Sequence, residues 1–121
     1  MILDLNGERP LAVVFFQTGA SNEPVRTWLR ELSKEERKAI GEDILTVQFA
    51  WPVGKPLVDS FGGGLWEIRS NLKGKIARTL FFIHDEEIVL LQGFIKKDRK
   101  TPKPDLDLAK KRMKQYLQAH E

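Results

Sequence analysis

The residues with the most chemistry to offer lie in three mainly apolar segments of the second half of the chain. In Leu65-Trp-Glu-Ile-Arg-Ser70 an extended backbone puts Trp66 and Ile68 on one face, and Leu65, Glu67 and Arg69 on the other. Arg78 sits between Ala77 and Thr79 in a run that ends Leu-Phe-Phe-Ile83. Gln92 interrupts Leu90-Leu91 and Phe94, ahead of Lys96 and Lys97. Charged groups are costly to bury without partners, so the face holding Glu67, Arg69, Arg78, Gln92 and the lysines is expected to be open. Guanidinium and ammonium groups along such a groove suit a phosphate backbone, RNA in particular. The structural reading stands beside it: Glu67 and Arg69 as cross-strand ion pairs, and Arg78 as the partner of a ring or a carboxylate.

Other constellations carry less. His84-Asp-Glu-Glu87 has metal-ligand residue types, but consecutive side chains at a hairpin tip diverge, and no metal is expected there. Gly62-Gly63-Gly64 lacks the Lys-Ser/Thr and the following helix of a phosphate-cradling loop and reads as a turn. Neither histidine, His84 or His120, lies near a serine nucleophile with a supporting acid. Without cysteine there is no disulfide, thiolate nucleophile or sulfur-based zinc site. The net charge of +3 hides an asymmetry: residues 1–60 carry 7 basic against 9 acidic groups, and residues 61–121 carry 13 against 8. Lys96, Lys97, Arg99, Lys100 and Lys103 concentrate positive charge, broken only by Asp98.

The elements that must position these groups follow from periodicity and caps. Leu11-Ala-Val-Val-Phe-Phe16 reads as a buried strand. Ser21 or Asn22 is placed to cap a helix with Pro24 in its first turn, and Val25, Trp28, Leu29 and Leu32 form its apolar stripe. Ser33-Lys-Glu-Glu36 fits a capping box for a second helix, with Ile40, Ile44 and Val47 on one face and an end before Trp51-Pro52. Phe61 to Gly64 reads as a turn, and strands are expected at Leu65–Ser70, Lys75–Ile83 and Glu87–Lys96. Thr101-Pro102 is placed to cap and start a last helix with Leu106, Ala109, Met113, Tyr116 and Leu117 inward. The predicted order is β-α-α-β-β-β-α: an α+β fold in which a strand and helical hairpin pack on an antiparallel meander, followed by a C-terminal helix.

With 121 residues, 41% hydrophobic and 31% charged, the chain is expected to form one domain over residues 1–121. Its longest apolar run, Leu11–Phe16, is far too short to span a bilayer, and its start lacks the pattern of a signal peptide. A cytoplasmic location without membrane contact is expected.

Several segments resemble a known family in the same order from about residue 11 to residue 117. They are Ser21-Asn-Glu-Pro-Val-Arg-Thr-Trp-Leu29, Ile40-Gly-Glu-Asp-Ile44, Val47-Gln-Phe-Ala-Trp-Pro52, Gly64-Leu-Trp-Glu-Ile-Arg-Ser70, Arg78-Thr-Leu-Phe-Phe82, Leu90-Leu-Gln-Gly-Phe-Ile-Lys-Lys97 and Lys100-Thr-Pro102. Together they are similar to the phage-derived, HigB-like branch of the RelE/ParE toxin superfamily. The resemblance implies a RelE-like fold and the toxin of a type II toxin–antitoxin pair. It implies a metal-independent, cofactor-free mRNA endonuclease acting on the ribosome by attack of an RNA 2′-hydroxyl on the adjacent phosphate. Its partners would be the ribosome, mRNA and a cognate antitoxin, often a helix-turn-helix protein. Carried over by position, the resemblance makes Arg78 the stabiliser of transition-state charge, Lys96 and Lys97 a phosphate clamp and proton donor, and Glu67 a general base or an orienter of the arginines. Arg69, Gln92, Arg99 and Lys100 would bind RNA. Gln92 stands where this branch often has histidine, and an amide cannot transfer protons at neutral pH. Two other implied readings are a non-cleaving toxin of the gyrase-inhibiting kind and a domesticated regulator that binds RNA or antitoxin.

Overall fold

The structure, a computed structural model, describes residues 10–96 and 100–121. The elements run β1 (Ala12–Phe15), α1 (Pro24–Glu31), α2 (Lys34–Ala50), β2 (Val58–Gly62), β3 (Leu65–Leu72), β4 (Lys75–His84), β5 (Glu87–Lys96) and α3 (Lys103–Ala119). The five strands form one mixed sheet in the order β1-β5-β4-β3-β2, with β1 parallel to β5 and the rest antiparallel. This is the expected α+β architecture, with one strand more than predicted.

The helical hairpin forms for the predicted reasons. Ser33 Oγ accepts from the Glu36 amide at 3.1 Å while Glu36 Oε1 accepts from the Ser33 amide at 3.1 Å, completing the capping box. Glu36 also pairs with Lys75 Nζ at 2.7 Å, and these partners hold its carboxyl below its usual pKa, Lys75 foremost. At the start of α1, Glu23 rather than Ser21 or Asn22 is the N-cap, and no side chain caps the helix. An eight-residue helix is too short to stand alone, so packing must hold α1. Val25 is buried, and Trp28 packs on Gly93 of β5, where a Cβ would overlap the indole ring. Glycine is required there by proximity, not by a turn.

Both sheet faces are covered. On one, Val25, Ile40, Ile44 and Val47 of α1 and α2 meet Val58, Ile68, Ala77, Phe81, Ile88 and Leu90, with Trp51 set edge-on to Trp66 and Phe81 at 5.1 and 5.6 Å. On the other, Leu106, Ala109, Met113 and Tyr116 of α3 meet Leu65, Leu80, Phe82, Val89 and Leu91. The open face expected from Glu67 and Arg69 is therefore closed. That face also carries five large apolar side chains, and the α3 stripe buries them at roughly 1.5–3 kcal/mol each. Leu117, predicted inward, is 39% exposed because it lies one residue off the stripe.

The added strand, β2, pairs Val58 with Ile68, Asp59 with Glu67 and Ser60 with Trp66. Val58-Asp-Ser-Phe has no β-branched run and reads as a loop in isolation; pairing with β3 makes it extended. The predicted Phe61–Gly64 turn shrinks to Gly63-Gly64, with a register shift between Ser60 and Gly62. Among the described residues, no helix is long and apolar enough to cross a membrane.

Candidate functional site

Two rows of side chains cross the sheet beneath the start of α3. In the first, register aligns Asp59, Glu67, Leu80 and Gln92 across β2, β3, β4 and β5. In the next, it aligns Arg69, Arg78 and Phe94. Thus Glu67, Arg69, Arg78 and Gln92 do share one face, as alternation predicts. Two guanidinium groups directly opposite each other repel, and their carboxylate neighbours compensate.

The compensation centres on Glu67. Arg78 Nη1 donates to Glu67 Oε1 at 2.7 Å, and both side chains are 1% exposed. The Thr101 hydroxyl donates to the same oxygen at 3.0 Å. The other oxygen, Oε2, accepts no hydrogen bond among the described residues; Arg69 Nε stands 3.8 Å from it. Arg69 also reaches Asp59 Oδ2 at 3.4 Å. A buried pair of this kind has a large desolvation penalty and is a poor stabilising device compared with apolar packing. Its chemistry is more telling than its stability: a charged acceptor with one unfilled oxygen lies beside two guanidinium groups.

Gln92 is tied down at both ends. Its Nε2 donates to Asp105 Oδ1 at 2.9 Å, and its Oε1 accepts from Arg112 Nη1 at 2.8 Å. Arg112 Nη1 also donates to the Leu91 carbonyl at 2.8 Å, and burial lowers the Arg112 pKa from its ordinary value. Lys96 and Lys100 are exposed, at the end of β5 and just ahead of α3. Lys97 and Arg99 lie outside the described residues.

Four participants escape sequence reading: Asp59, Thr101, Asp105 and Arg112. Asp59 comes with the missed strand. Thr101, expected to cap α3, bonds Glu67 instead, and Pro102 is the N-cap without a side-chain bond. Asp105 and Arg112 had a signal available, since positions 105, 109, 112 and 116 follow helical spacing through the buried Ala109 and Tyr116.

The sequence profile described as phage-derived protein Gp49-like (DUF891) matches residues 27–114. The chain belongs to this family. The Gp49-like family is a group associated with toxin–antitoxin systems. A comparison with curated proteins finds no match. The matched span of this Gp49-like chain includes β2 to β5, Thr101 and α3 as far as Lys114, and so the whole polar cluster.

A concavity of about 730 Å³ lies elsewhere in the molecule, between edge strand β1, the loop through Gly19 and the end of α3. Tyr116 is buried beside it and stacks on His120 at 3.9 Å, the core position its helical spacing predicts. Burial, chiefly, and then nearby Glu87 and Asp85, raise the Tyr116 pKa above its ordinary value. We place the candidate chemistry at Glu67 and Arg78, because the opposed charges and the unfilled acceptor converge there.

Proposed function

We propose that this protein is the toxin of a type II toxin–antitoxin pair and cleaves mRNA on the ribosome without a metal. The observation that carries the reading is Glu67: one carboxylate oxygen held by Arg78 and Thr101, the other unfilled. In this reading Glu67 Oε2 takes the proton of the attacking 2′-hydroxyl. Arg78 leaves the carboxylate for the scissile phosphate and stabilises the charge that develops on it. Lys96 delivers the proton to the leaving 5′-oxygen, and Lys100, with Lys97 and Arg99 by position, steers the backbone. Gln92 orients the site through its amide, a role that needs no proton transfer. A cognate antitoxin neutralises the protein.

The test is cleavage of a defined mRNA by purified protein, with and without programmed ribosomes. Cuts that require ribosomes and disappear in Arg78→Lys and Lys96→Ala support the proposal. Lysine keeps a charge at position 78 but loses the planar fork that grips a phosphate. The absence of cuts from folded protein would overturn it and move the weight to a non-cleaving toxin or a regulator.

A further inference from the structure

Among the described residues three large apolar side chains stand exposed: Leu45 at 50%, Phe49 at 44% and Leu117 at 39%. Leu117 is on α3, but Leu45 and Phe49 lie one turn apart on α2, on the side turned away from the buried Ile40, Ile44 and Val47. One turn before Leu45 the same row holds Gly41, which is exposed and where a Cβ would meet nothing within 4 Å. No neighbour asks for glycine there, in contrast to Gly93 beneath Trp28. Inside a helix only proline is less favourable than glycine, so Gly41 brings α2 no local benefit. What it brings is shape. Gly41, Leu45 and Phe49 form a row of a notch, a knob and a larger knob at equal four-residue steps.

We infer that this row is the contact between two copies of the chain, with their α2 helices antiparallel about a two-fold axis at Leu45. The equal steps make the row complementary to itself under that operation. Leu45 meets Leu45 of the other copy, and Phe49 of each copy lies over Gly41 of the other, where the missing Cβ lets the ring come down onto the helix backbone. Charge agrees with this pairing. The exposed Lys38 lies seven residues, about 10 Å, before the axis, and α2 ends at Ala50, about 8 Å beyond it. Each Lys38 therefore reaches the last turn of the other copy's α2, the negative end of the helix dipole, which has no basic residue of its own. One helix pair is a smaller contact than the ~800 Å² per partner of a standard interface, so the dimer is weak and exchanges with monomer. Helix α2 covers the sheet face opposite the one that carries Glu67 and Arg78, so the dimer holds two polar clusters, both outside the contact. The pairing does not rest on the nuclease reading.

Sedimentation equilibrium of the whole chain, from about 10 μM to about 1 mM, tests the pairing. The mass should rise from 13.9 kDa toward twice that value. A monomer throughout, the result if another segment of the chain or an unrelated protein is the true occupant of the row, overturns the proposal. Gly41→Gln should weaken association about tenfold or more while raising Tm, because glutamine fills the notch yet favours the helix. Association unchanged by Gly41→Gln also overturns it. Leu45→Glu and Leu45→Lys should each abolish the dimer by setting like charges against each other on the axis, and an equimolar mixture of the two should restore it. Dimers of either variant alone, or a mixture that stays monomeric, refute the axis at Leu45. Both changes fall at an exposed position, and circular dichroism should show the fold intact. If either variant unfolds, Leu45→Cys decides, since the chain has no cysteine of its own. Mild oxidation should link Leu45→Cys into dimers about tenfold faster than it links Leu117→Cys, and equal rates overturn the pairing.

Discussion

Replacing Arg78 with methionine leaves Glu67 buried, with the Thr101 hydroxyl at 3.0 Å and Arg69 at 3.8 Å as its remaining polar neighbours among the described residues. Breaking a fully buried ion pair by removing one partner costs about 3–5 kcal/mol. Arg69, one-third exposed, compensates in part, which puts Arg78→Met near the lower end of that range. Glu67→Leu should also fall within that range. It removes the carboxylate that lies beside two directly opposed guanidinium groups, of which Arg69 keeps Asp59. The double variant Glu67→Leu/Arg78→Met should be milder than either single one, since apolar side chains of similar volume often replace a buried pair without loss. Urea denaturation followed by circular dichroism measures all three. With a slope of about 2 kcal/mol per molar, Arg78→Met should move the midpoint down by roughly 1.5 M. If the double variant proves as damaging as the singles together, the account of Glu67 and Arg78 as a coupled buried pair is wrong. Loss of activity in any Arg78 variant must therefore be read against its stability.

Gly93→Ala should destabilise by about 1–3 kcal/mol in the same assay through overlap with the Trp28 ring, and Trp28→Leu should restore part of the loss. Asp85 and Glu86 close the β4–β5 hairpin with φ of 48° and 62°, so Asp85→Asn/Glu86→Gly should stabilise by about 1 kcal/mol, seen as a raised Tm. Because folding raises the Tyr116 pKa, its contribution is complete below the ordinary tyrosine value and is lost as the pH rises through the folded value. Denaturation titrations above about pH 10 should show stability falling less steeply for Tyr116→Phe than for the unaltered protein.

What the sequence made legible was local. Ser33 and Glu36 announce their helix start because both partners lie within four residues, and strand alternation sorted Glu67, Arg69, Arg78 and Gln92 onto one face. What it concealed depends on residues distant in the chain. Asp59 becomes a strand residue only through Glu67 opposite it. Thr101 looks like a helix cap by its neighbours, yet the acceptor it finds is Glu67, 34 positions away. The closed face was hidden for a related reason: Glu67 and Arg69 argue for exposure, while Leu65, Leu80 and Phe82 on the same face argue for cover, and only the length and stripe of α3 decide between them.

The parallel pairing of β1 with β5 also sets when this molecule can be finished. Ala12 aligns with Glu87, so one edge of the sheet joins residues 75 positions apart. Closing a loop of that size costs about 4 kcal/mol in chain entropy before the new contacts repay it, and such non-local pairings slow folding. During synthesis β1 must wait, unpaired, until β5 has been made. The meander from β2 to β5 can form from local hairpins, but Thr101, Asp105 and Arg112 follow it in the chain. The polar cluster therefore reaches its final arrangement only after Arg112 has been made, later than the meander that carries Glu67 and Arg78.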